Sequence, residues 1–91
     1  MEHRLRRNAV GAEIRKLRNA QSMTQEVLVA RCNMAGCNIT RGTLAKVEAQ
    51  IRGISDVELF AISRALKVNM EDLFPRGFAV TLKASKELDG A

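Results

Sequence analysis

Two cysteines, one histidine and fifteen lysines and arginines are the first candidates for chemistry in this 91-residue sequence. Cys32 and Cys37 are separated by four residues, and His3 lies far from both. Two thiols and one remote imidazole do not complete a four-ligand zinc site unless carboxylates join them. A catalytic cysteine needs a base, and His3 sits in a terminal stretch. There is no Gly-rich phosphate loop, no paired histidine and no activated nucleophile, so an enzyme is the least supported class. No catalytic residue, metal or cofactor is expected. Both thiols are expected reduced, in a cytoplasmic protein, because MEHRLRRN carries charge but no apolar secretory core.

The cations are the stronger signal. Net charge is +5, and it is unevenly spread. Residues 1–20 carry +4, residues 21–54 carry +2, residues 55–74 carry −2 and residues 75–91 carry +1. A basic first half suggests a polyanion on one face; a merely soluble basic protein is the plainer alternative. Aromatic residues are only 3%, which argues against both an aromatic-rich β sandwich and a stacking platform for single strands. No apolar run approaches 18 residues, so no membrane span is expected.

These side chains need elements to hold them. Residues 1–7 read as a basic arm carrying Arg4, Arg6 and Arg7. Asn8 is placed to cap a first helix, in which Val10, Ile14 and Leu17 recur on one face to about Gln21. Thr24 caps a second helix with Leu28 and Cys32 inward, and Gly36 stops it. Thr40 caps a third, to about Ala49, with Leu44 and Val47 inward and Ile39 stapled against Leu44. Ser55 caps a fourth, with Leu59, Ile62 and Leu66 buried. Asn69 and Asp72 bracket a short fifth, Met70 to Phe74, which Pro75 ends. Phe78, Val80 and Leu82 then alternate as a possible short strand. The expected fold is all-α with five helices, divided into an arm at 1–7, a domain at 8–75 and a tail at 76–91.

The order of these pieces resembles the Cro/C1-type helix-turn-helix family of bacterial and phage regulators, the XRE family. The residues that carry the resemblance run from Val10 to Phe74. They are Ile14-Arg15-Lys16-Leu17-Arg18, Met23-Thr24-Gln25-Glu26 with Leu28, and Ile39-Thr40-Arg41-Gly42-Thr43-Leu44-Ala45-Lys46-Val47-Glu48-Ala49. They end with Leu59, Ile62, Ala65-Leu66-Lys67-Val68 and Met70-Glu71-Asp72-Leu73-Phe74. Two capped helices joined by a turn, the second short and basic outside, suit a major groove. Three departures stand out. About five extra residues, Met34 to Asn38, lie between helices two and three, where they either lengthen helix two or form a loop. Val29 stands where a smaller residue is usual. Gly42 sits inside a helix, where it offers no side chain to a base.

The resemblance and the residue chemistry together name a DNA-binding set. Arg41 carries a fork that matches guanine N7 and O6. Thr40 and Arg41 lie at a helix start, where N–H groups attract phosphate. Lys46 is placed for a base or a phosphate, or is a plain surface lysine. The resemblance implies a backbone contact for Thr43, and for Gln25 a phosphate contact that also braces the recognition helix. It implies a structural ion pair between Arg18 and Glu48, although neither lies on its helix's apolar stripe. Arg7, with the rest of the arm, is placed to track phosphate. The expected function is a sequence-specific regulator of transcription, a repressor, that binds double-stranded DNA as a homodimer. Two alternatives differ in class: an antitoxin that binds a toxin and represses its own promoter, and a protein-interaction module that has lost DNA binding.

Overall fold

Helix starts in this chain are set by hydroxyls. The computed structural model describes residues 6–78, and there Thr24, Thr40 and Ser55 each accept the N–H three residues on, at 3.1 Å. Ser55 is reciprocated, since Glu58 accepts the Ser55 N–H at 3.0 Å. These caps open α2 (Gln25–Met34), α3 (Arg41–Glu48) and α4 (Asp56–Leu66). Helix α1 (Gly11–Ala20) starts differently from the expectation. Val10 occupies its cap position, and Asn8 lies two residues earlier. The Asn8 Oδ1 still accepts the N–H groups of Val10 and Gly11, at 3.0 and 2.7 Å. Its Nδ2 donates to the carbonyls of Val47 and Arg52, at 3.1 and 2.7 Å. One amide therefore starts α1 and holds it against the far end of α3.

The all-α class is as expected. Four α-helices are described, and a single 3-10 turn, Met70–Leu73, stands in the fifth place. The alternating segment that begins at Phe78 lies almost wholly outside the described residues. Helix α2 packs on α3 and α4, while α1 packs on α3. Ile14, Leu28, Leu44, Ile62, Leu66 and Leu73 are fully buried between them. Each leucine or isoleucine withdrawn in this way contributes about 1.5–3 kcal/mol.

All four helices end in the same manner. The residue after the cap, or at α4 the cap residue itself, turns left-handed, and two N–H groups fold back onto carbonyls of the last turn. At α2 this residue is Gly36, with φ 93°. There Cys37 N–H bonds the Cys32 carbonyl at 2.9 Å and Gly36 N–H bonds Asn33 at 3.0 Å. At α1, α3 and α4 the same place is held by Ser22, Gln50 and Lys67, with φ of 55°, 63° and 60°. The chain between α2 and α3 is thus a closed turn followed by an extended approach to Thr40. Met34 is the last residue of α2, and the extra length is Ala35 to Asn38.

Close packing of α1 on α3 depends on Gly11. A Cβ there would strike the Val47 carbonyl oxygen and lie 2.9 Å from the Gln50 side chain. Gly11→Ala is expected to lower stability by about 1–3 kcal/mol, the cost of overpacking against backbone. Gly42 is the control. Its nearest neighbour would be the Thr40 hydroxyl at 3.8 Å, so Gly42→Ala should instead stabilise by up to about 1 kcal/mol. Thermal unfolding of the two variants checks both signs.

Candidate nucleic-acid interface

Helix α3 is anchored by its inner face and by its own last residue. Leu44 and Val47 are buried, and Ile39, just before the cap, is buried beside them. Glu48 is also buried, at 3% exposure, which an isolated carboxylate would not tolerate. Its two oxygens accept Arg18 Nε at 2.7 Å, Arg18 Nη2 at 2.9 Å and Gln25 Nε2 at 3.0 Å. The Arg15 Nε lies 3.7 Å from the same carboxylate and remains half exposed. Arg18 Nη1 donates to the Met23 carbonyl at 2.8 Å, and the bond to Glu48 raises its already high pKa. No buried side-chain N or O is left unbonded among the described residues. One carboxylate at the end of α3 therefore ties it to α1 and α2 together.

The start of α3 is held as well. Thr40 caps it, and the Thr40 hydroxyl donates to the Thr43 hydroxyl at 3.1 Å. Arg41 is the first helical residue. Its guanidinium projects outward with its Nε 3.0 Å from the Glu26 carboxylate of α2. Gln25 and Glu26, adjacent in the first turn of α2, thus reach opposite ends of α3. The outer face between those ends carries Arg41, Gly42 and Lys46, all exposed, with Thr43 half-buried. Arg7 stands beside the C-terminal end of α3, because its N–H bonds the Gln50 carbonyl at 2.9 Å, and its side chain is exposed.

The expected residues are therefore brought together in large part. Thr40, Arg41, Thr43 and Lys46 lie along one short helix, Gln25 touches it through Glu48, and Arg7 flanks it. The Arg18–Glu48 pair implied by resemblance is present as a two-pronged buried bond. Three partnerships were not legible in the sequence: Glu26 with Arg41, Arg15 with Glu48, and Asn8 with the end of α3. Each joins residues 15 to 44 apart, and no local spacing signals a contact at that range.

The thiols are placed away from this surface chemistry. Cys32 and Cys37 are both buried, as the two apolar residues that close the turn after α2. Burial pushes the Cys32 thiol up to about 11 and raises that of Cys37. Neither is a ready nucleophile. Among the described residues no cluster of three histidine, cysteine or acidic side chains is arranged for a metal, and no helix is long and apolar enough to cross a membrane.

Comparison with known proteins gives one family and one structural likeness of note. A family model described as helix-turn-helix matches residues 14–73. The chain is similar to the crystal structure of the restriction-modification controller protein C.AhdI from Aeromonas hydrophila. The two are 27% identical, with a TM-score of 0.65, over 72% of this chain and 92% of that one. Curated protein sequences return no match.

Proposed function

The chain belongs to the Cro/C1-type helix-turn-helix family of DNA-binding transcription regulators, and from that premise we propose that it is a sequence-specific repressor that inserts α3 into the major groove. The observation that carries this reading is the fixing of α3 at both ends while its outer face presents Arg41 and Lys46. A helix held by Leu44, Val47 and Glu48 enters a groove with its direction set in advance. Arg41 at its first position reads a guanine, and Lys46, Thr43 and Arg7 hold the phosphates on either side. Residues 8–75 form the binding unit, and the basic arm adds charge. The likeness to a restriction-modification controller supports control of a promoter as the task.

The repressor works as a homodimer. One short recognition helix reads few base pairs, and a two-fold pair reads two half-sites one duplex turn apart. Ile51, Val57 and Phe60 are exposed apolar side chains on the connection after α3 and the first two turns of α4. They supply a face for the second copy.

Selection of bound duplexes from a random pool tests this. A near-palindromic consensus is expected. Against it, Arg41→Ala should cost about 1–3 kcal/mol and relax preference at one base pair of each half-site. Arg7→Ala should weaken all duplexes alike. Recovery of no consensus overturns the regulator reading, and uniform loss in both variants reduces Arg41 to a phosphate clamp.

A further inference from the structure

We infer that Glu26 is a specificity-determining residue, which positions Arg41 so that only one edge of its guanidinium faces a base. The inference rests on the reading of Arg41 given above and deepens it. Arginine grips guanine through two parallel N–H donors, and it has two edges that offer such a pair. One edge uses Nε with a terminal nitrogen, and the other uses both terminal nitrogens. The Glu26 carboxylate stands 3.0 Å from Nε as an ion pair. That ion pair crowds the first edge and leaves the second for a base.

Several facts make the pairing more than a surface encounter. Glu26 sits in the first turn of α2, on backbone fixed by the Thr24 cap. Its neighbour Gln25 is bonded to the buried Glu48, which fixes that turn against the far end of α3. Arg41 in turn is the first residue after the Thr40 cap. The backbones that carry the pair are therefore anchored, and the ion pair spans two helix starts. An arginine on a free stem would sample many rotamers and would grip any phosphate it met. A carboxylate beside it discourages a fully charged phosphate more than a neutral base edge, whose acceptors carry only partial charge. Glu26 thus trades general affinity for selectivity.

The two roles predict opposite results on removal. Simple charge repulsion predicts that losing Glu26 strengthens every duplex equally. Positioning predicts that unrelated duplexes gain while the preferred site loses its advantage at one base pair. The test is titration of Glu26→Ala and Glu26→Gln, in the full chain, against the selected site, its single-base variants and an unrelated duplex. Expected is a loss of about tenfold in discrimination at the base pair that Arg41→Ala relaxes, within the range for side chains coupled in one network. The double variant Glu26→Ala/Arg41→Ala should discriminate no worse than Arg41→Ala alone. Both Glu26 and Arg41 side chains are about two-thirds exposed, so thermal unfolding should be almost unchanged. Equal strengthening on all duplexes with discrimination intact overturns the inference and leaves the Arg41 reading standing. Additive losses in the double variant overturn it too. If Arg41→Ala itself leaves every base preference unchanged, the Arg41 reading fails and this inference falls with it.

Discussion

Glu48→Ala is expected to remove about 3–5 kcal/mol of folding stability. A chain of this size has roughly 5–14 kcal/mol in all, so the loss is about a fifth of the total or more. The cause is what the substitution leaves behind. Arg18 is 9% exposed and makes three of its hydrogen bonds inside the structure, two of them to Glu48. Without the carboxylate its charge stays buried and unpaired. Gln25 loses its acceptor as well, and the end of α3 is released from α1 and α2 at once. Breaking the pair and replacing it are different experiments. The double variant Arg18→Met/Glu48→Leu removes both charges and should recover most of the loss, because the net worth of a buried pair over apolar side chains is small. Urea unfolding measures both. A cost below about 1 kcal/mol for Glu48→Ala would mean that the pair is screened by solvent as a surface pair is.

That same residue marks where sequence patterns stop being informative. Helix starts were legible at Thr24, Thr40 and Ser55 because a cap is a local contract between a hydroxyl and an N–H three residues on. The inner faces followed from Ile14, Leu28, Leu44 and Ile62 at helical spacing. The ends near Gln21 and Ala49 were placed correctly, but a residue whose type calls for the left-handed turn stands only at Gly36. Ser22, Gln50 and Lys67 adopt the same left-handed turn, at a cost of roughly 1–2 kcal/mol each in backbone preference. Tertiary packing outweighs that cost, and residue type does not announce it. Arg18 and Glu48 stand four residues after Ile14 and Leu44, at the spacing of the apolar stripes, but their charge argues for solvent; only the family resemblance put them together. Cys37 lies in the five-residue extension, whose sequence carries no pattern that places it. It is buried because the turn after α2 folds it back over Cys32. Asn8 was read as the cap itself, while the structure uses its amide two residues upstream, on two elements at once.

Charge also has to be recounted in the folded molecule, and the recount sets how steeply duplex affinity should depend on salt. Expected is a fall of about 10⁴–10⁶-fold between 50 and 200 mM monovalent salt, from roughly four to six phosphate contacts per protomer of a dimer. The sequence places ten lysines and arginines in residues 1–54. Not all of them are available. Arg18 is buried on Glu48. Arg52 makes a two-pronged bond to Glu58, at 3.0 and 3.1 Å, which holds the Glu58 carboxyl below its usual range. Arg41 is committed to a base in the reading above. Arg7, Lys46 and the half-exposed Arg15 remain around α3. With the arm and the first-turn N–H groups of α3, they reach the required number. Each contact releases its share of condensed counterion, so the log–log slope should be about −4 to −5 per protomer. Arg7→Ala should flatten it by about 1 per protomer. Arg18→Met/Glu48→Leu should leave it unchanged, since that pair offers no charge to the phosphates. A flat response in the unmodified protein would mean that the basic first half does not face DNA. An unchanged slope in Arg7→Ala would remove the arm from the contact surface and shift the count to α1 and α3.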